Sequence, residues 1–133
     1  MGQPAAKQGD QIVAIDTHIV MVPAPPGSPV PTPLPHPFDG ILNGGLSSDV
    51  KVMGHPAATV DSTADNTQPH APTPPGNAFQ KSPANKGTIK MGSPTVKING
   101  KAAARNGDMA GTCNDPSDLP AGTVVAAGTV MIG

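Results

Sequence analysis

Two stretches of the chain alternate apolar and polar residues with period two. Asp49-Val50-Lys51-Val52-Met53-Gly54-His55 resembles Thr95-Val96-Lys97-Ile98-Asn99-Gly100-Lys101. Alternation places every second side chain on one face, as a half-buried strand requires, and the glycine after each run allows a turn. Asn99-Gly100 suits a type I′ hairpin. Thr88-Ile89-Lys90-Met91, ahead of Gly92-Ser93-Pro94, reads as the partner strand of the second run. The β-branched stretch Thr123 to Ile132, broken at Gly128, reads as a further hairpin and as the best candidate for an exposed edge that a β-structured partner could extend. No long helix is predicted, because Glu is absent and Pro or Gly interrupts most short windows. The pattern predicts an all-β fold of short hairpins.

A repeat runs through it. Pro4-Ala5-Ala6-Lys7-Gln8-Gly9-Asp10, Pro56-Ala57-Ala58-Thr59-Val60-Asp61-Ser62 and Ala102-Ala103-Ala104-Arg105-Asn106-Gly107-Asp108 share a start of small residues, and the first and third share Gly-Asp at the end. Asp10 and Asp108 are expected to satisfy turn amides. His18 lies 14 residues after Pro4, His70 lies 14 after Pro56, and Cys113 lies 11 after Ala102. Three similar units predict a pseudo-threefold arrangement. Between the copies lies a proline-rich insert, about residues 23–38, and a shorter one at Pro69-His70-Ala71-Pro72-Thr73-Pro74-Pro75. Such runs favour extended polyproline II, either as a solvated linker or as a rigid strap over the domain.

Composition then limits what can hold the fold together. The 133 residues form one small domain, 1–133, with 16 Gly, 18 Pro, no Trp and no Tyr. Gly plus Pro is about twice the usual share of roughly 12%. So few bulky side chains bury little apolar surface, and a metal, a disulfide or a partner is needed. A single cysteine excludes an internal disulfide framework and fits synthesis in the cytosol. No apolar run suits a membrane helix, and the N-terminal residues carry no signal-peptide core. With a net charge of −1 and no aromatics alternating with the basic residues, no nucleic-acid surface is expected.

That leaves a metal. His18, His36, His70 and Cys113 are four candidate ligands from separated segments. Imidazole and thiolate donors suit zinc, and four protein ligands make a structural rather than a catalytic site. His55 aligns with Lys101 at a turn and is set aside; His36, without a repeat equivalent, enters as the fourth ligand by elimination. Cys113 has a rival role as nucleophile, with His70 or His36 as base and Asp115 as orienter, but that chemistry needs a cleft this lean chain is poorly equipped to wall. No enzymatic activity is expected.

Pro4-Ala5-Ala6-Lys7 with Gly9-Asp10, and Asn99-Gly100-Lys101-Ala102-Ala103-Ala104-Arg105-Asn106-Gly107-Asp108 with Thr112-Cys113-Asn114-Asp115-Pro116, resemble the proline-alanine-alanine-arginine (PAAR) repeat family of type VI secretion and related contractile injection systems. The first copy has Lys7 where the motif has Arg, and the second has Thr59 and no Gly-Asp. The resemblance implies a small β cone seated, one copy per trimer, on the blunt end of a trimeric β-helical spike. Three His and one Cys would hold zinc near its point, with iron less expected. His18, His70 and Cys113 match that pattern at the repeat ends. It further implies puncture of a target envelope with transient membrane contact, or, alternatively, an adaptor that docks effectors on the spike. Either way the protein would be cytoplasmic until assembled and then delivered with the spike.

Overall fold

The structure, a computed structural model, describes residues 2–133; Met1, part of the N-terminal segment read above, lies outside them. Among the described residues there are thirteen strands and no helix. In chain order the first seven are β1 (Gln3–Pro4), β2 (Gln11–Val22), β3 (Val30–Gly44), β4 (Lys51–Val52), β5 (His55–Pro56), β6 (Thr63–Asn66) and β7 (Ala78–Phe79). The rest are β8 (Lys86–Ile89), β9 (Lys97–Ile98), β10 (Lys101–Ala102), β11 (Met109–Thr112), β12 (Leu119–Val125) and β13 (Met131–Ile132).

The two alternating stretches form the β4–β5 and β9–β10 hairpins. Their turns, Met53-Gly54 and Asn99-Gly100, have positive φ at both residues (50° and 83°, 53° and 81°), as a type I′ turn requires. The third unit is assembled from the chain ends: β13 pairs with β1, Ile132 opposite Gln3 and Met131 opposite Pro4. The N–H groups of Ala57, Ala103 and Ala5 donate to the carbonyls of Val50, Val96 and Val130 at 3.0, 3.0 and 2.9 Å, so the three units are equivalent. Bridges Lys7↔Ala57, Thr59↔Ala103 and Ala5↔Arg105 then lean each copy on another around a ring. Inside that ring Ala5, Ala57 and Ala103 pack with Val52, Ile98 and Ile132 as one buried cluster. The fully buried Ala6, Ala58 and Ala104 follow in the main core. Where three segments of the chain converge at these positions only methyl groups fit, which accounts for the run of small residues in every copy.

Each copy next makes the same turn. The N–H groups of Lys7, Thr59 and Arg105 donate to Asp10 Oδ2, Ser62 Oγ and Asp108 Oδ2 at 3.0, 3.0 and 2.7 Å. Asp10 and Asp108 thus satisfy turn amides. The third residue of the turn is left-handed in all three, Gly9 and Gly107 at φ 91° and 90° and Asp61 at 78°. Gly107 has open space around it, so Gly107→Ala should lose about 1–2 kcal/mol through backbone strain alone. Asp61→Gly should gain up to ~1 kcal/mol by relieving the same strain. Thermal melts of the two variants should therefore shift in opposite directions.

The remaining strands form one antiparallel sheet in the order β12-β11-β8-β6-β3-β2-β7. Because β12 also pairs with β2, the sheet closes on itself, and the core of Ile12, Phe38, Leu42, Ala64, Ile89, Ala110 and Val124 fills the enclosure. Two expected pairings are corrected here. The strand before Gly92 pairs with β6 and β11, not with the 95–98 run. The stretch from Thr123 to Ile132 does not fold on itself: β12 sits between β11 and β2, and β13 completes the third hairpin with β1. Both of its strands are therefore engaged in pairing rather than forming a free hairpin.

The proline-rich insert is also different from the expected polyproline strap. Residues 30–41 run as a continuous antiparallel ladder against β2, from Val22↔Val30 to Gln11↔Ile41. Pro31, Pro33, Pro35 and Pro37 occupy alternate positions, so the residues between them supply every N–H that faces β2. The positions lacking a donor face outward, where the Pro35 carbonyl accepts a hydrogen bond from Thr73 Oγ1 at 2.9 Å.

Candidate metal centre

The period-two faces of β2 and β3 explain why polar side chains reach the interior. On β2 the buried residues are Ile12, Asp16, His18 and Val20; on β3 they include His36, Phe38, Gly40 and Leu42. Asp16 stands opposite His36 in the register, and His18, opposite Leu34, lies two pairs further on. At ~3.3 Å per residue His18 is roughly 23 Å along β2 from Gln11, well away from the alanine ring. The segment after β6 brings in His70, whose backbone N–H donates to Asn85 Oδ1 at 2.8 Å. Cys113 follows β11 directly.

His18, His70 and Cys113 are brought together with Asp16, one donor atom of each lying within 4.8 Å of all the others. Cys113 Sγ is 3.7 Å from His18 Nε2 and 3.5 Å from Asp16 Oδ2, and His70 Nε2 is 3.0 Å from the same oxygen. His36 lies alongside: its ring centroid is 5.4 Å from that of His18 and 5.5 Å from that of His70, while the His18 and His70 rings are 4.9 Å apart. His36 Nδ1 donates to the Leu34 carbonyl at 2.9 Å, and Nε2 accepts from the Thr73 N–H at 3.2 Å. His55 sits at the β4–β5 turn, exposed and apart from the cluster.

Asp16 was not among the expected residues. Its signal was present, since position 16 shares a strand face with position 18. Its Oδ1 accepts from Thr112 Oγ1 and from Asn114 Nδ2. Asp115, expected only as a partner in catalysis, accepts the Ile19 N–H at Oδ2 (2.8 Å), and the same oxygen stands 3.5 Å from His18 Nδ1. His18 Nδ1 is buried without a hydrogen-bond partner among the described residues. Phe79 closes the side of the site, its ring 5.9 Å from His18 and 5.4 Å from His36.

Burial dominates the electrostatics. It pulls the His18 and His36 imidazoles below their ordinary value, opposed at His18 by Asp115 and at His36 by the Leu34 carbonyl. Burial pushes the Cys113 thiol up, and the Asp16 carboxylate adds to that. The unfolded chain therefore takes up protons on these two histidines first. Their stabilising contribution is complete above the free-imidazole value of about 6.5 and is lost as pH falls through the window below it. Metal ligation needs neutral imidazole too, so protons act in the same direction with an ion bound. Melting temperatures measured from pH 7.5 down to pH 5 should fall steadily.

Cys113, His18 and Asp115 stand in the order of a nucleophile, base and orienter, but Cys113 and His18 are 3% and 0% exposed. A buried thiol with a raised pKa suits a ligand better than a nucleophile. Two imidazoles, a sulfur and the Asp16 carboxylate converging from three separated segments form a donor set that could hold a metal ion. A family model for the PAAR motif matches residues 35–111, more than half of the chain, and spans the second and third repeat copies with His36 and His70. No match to a curated protein was found.

Proposed function

Starting from the fact that the chain belongs to the PAAR-motif family of type VI secretion spike tips, we propose that it caps and sharpens a trimeric spike, one copy per trimer, as a metal-stapled mechanical part. A single chain can meet a threefold partner only by repeating its contact positions three times. The observation that carries this reading is the ring of equivalent valines. Val50, Val96 and Val130 occupy matching places in the three hairpins and are exposed to nearly the same extent, 37, 36 and 40%. Three apolar side chains in equivalent settings fit the blunt end of a β-helical trimer.

In this reading His18, His36, His70 and Cys113 hold zinc. The ion supplies ligation, tying together four stretches far apart in sequence. The side chains do the rest: Asp16, Asp115 and the Leu34 carbonyl orient the rings, and Phe79 and Asn114 keep water out. Load applied during puncture of a target envelope is shared between the closed sheet and this clamp. The protein is cytoplasmic until mounted and then leaves with the spike. The test is a triple variant, Val50→Asp, Val96→Asp and Val130→Asp, mixed with the trimeric spike protein and followed by light scattering. It should keep its melting temperature and lose the one-to-three complex. Undiminished binding would overturn the reading.

A further inference from the structure

Main-chain hydrogen bonds run through the three hairpin units in the same order. The bonds from Ala57, Ala103 and Ala5 to the Val50, Val96 and Val130 carbonyls mark those pairs as hydrogen-bonded. Bonded and non-bonded pairs alternate along an antiparallel ladder, so the next pairs, Lys51↔Pro56, Lys97↔Ala102 and Met131↔Pro4, turn their backbone groups away from each other. On the inner strands β5, β10 and β1 these groups are used. The Pro56, Ala102 and Pro4 carbonyls accept from the N–H groups of Gln8, Val60 and Asn106 at 2.9, 2.9 and 2.8 Å. The adjoining turns then donate from Gly9, Asp61 and Gly107 to the carbonyls of Leu42, Ile89 and Val124, at 3.1, 2.9 and 2.8 Å, and so reach the closed sheet. On the outer strands β4, β9 and β13 the N–H and C=O of Lys51, Lys97 and Met131 meet no partner among the described residues, and each strand has a single neighbour. All three residues are exposed. Three ladders thus end in free edges on the side remote from the closed sheet and its metal centre.

We infer that these edges are where the spike is joined, through main-chain hydrogen bonds: each of its three chains lays one strand edge against β4, β9 or β13 and takes up the N–H and C=O of Lys51, Lys97 or Met131. The inference rests on the spike-cap reading above and adds the bonds through which the two parts meet. Threefold equivalence selects the occupant, because a β-helical trimer presents the same edge three times at one end. Proline stands at positions 56 and 4, where the neighbouring turn uses only the carbonyl, and not at 51, 97 or 131, where both groups are kept. Charge disfavours a second copy of this chain. Two of the three edges carry a lysine, so any match of edges between two copies sets lysine against lysine at least once.

Hydrogen exchange of the full chain, alone and bound to the trimeric spike protein, reads the edges directly. The Lys51, Lys97 and Met131 amides should exchange freely in the unbound protein and slow by about 10-fold or more in the complex. Lys51→Pro, Lys97→Pro and Met131→Pro together delete three donors without touching a hairpin bond. That variant should keep its melting temperature and bind the trimer about 100-fold more weakly or worse. Lys51→Thr, Lys97→Thr and Met131→Thr together keep the donors and should bind as the wild type does. Amides that still exchange freely in the complex, wild-type affinity in the proline variant, or an equal loss in the threonine variant would each overturn the inference. The last result would assign the contact to side chains. A dimer of the free chain that protects the same amides would give the edges to a second copy and overturn it as well. The exchange data decide even if the proline variant fails to fold, and a wild-type chain that forms no complex with the trimer would instead remove the spike-cap reading on which the inference stands.

Discussion

Replacing Cys113 with serine is expected to lower the melting temperature by about 15 °C, and treating the wild-type protein with a strong chelator should do the same. Small domains that depend wholly on structural zinc draw ~10–16 kcal/mol of folding free energy from it. The closed sheet here supplies part of the stability itself, so the expected loss is nearer ~4 kcal/mol, the mass-action value at about a thousandfold excess over the dissociation constant. Serine keeps the size of the side chain but is a poor ligand for a borderline ion. The two perturbations should not add: chelator applied to the serine variant should change nothing further. A variant that melts within ~2 °C of wild type would show that the clamp contributes little.

Phe38→Ala is expected to be comparably damaging through a different cause. Phe38 is the largest fully buried side chain, and its ring centroid lies 6.1 Å from that of His70. Two glycines make room for it: a Cβ on Gly40 would stand 2.8 Å from Phe38 Cε1, and one on Gly87 3.3 Å from the same atom. More than half of the residues in that core are alanines, so few neighbours can collapse into the space. The cost should therefore reach the upper part of the usual ~3–5 kcal/mol. Phe38→Leu should recover most of it, costing ~1.5 kcal/mol or less. Denaturant melts of both variants measure this, and affinity for an added metal ion should fall in Phe38→Ala because His70 loses its packing surface.

Much of this architecture could be read in the residues themselves. Alternation at Val50-Lys51-Val52 and Val96-Lys97-Ile98 locates two hairpins, and the repeat spacing singles out His18, His70 and Cys113 before any contact is known. Strand partners are another matter. β8 pairs with β6 and β11, and β13 with β1, through contacts that no local pattern encodes. The proline insert misled because composition suggests polyproline II, while the strict alternation from Pro31 to Pro37 is compatible with a ladder on one side only. Asp16 escaped notice for lack of a repeat equivalent, although its offset of two from His18 on a strand was enough to place both on one face.

The outer margin of β3 has a consequence for free copies of the protein. No strand pairs with it on that side between Val30 and Phe38, and Pro31, Pro33, Pro35 and Pro37 leave it able to receive hydrogen bonds but not to give them. A second copy laid against it would find half of its own carbonyls stranded. Free copies are thus hindered from pairing edge to edge there by the chemistry of one margin.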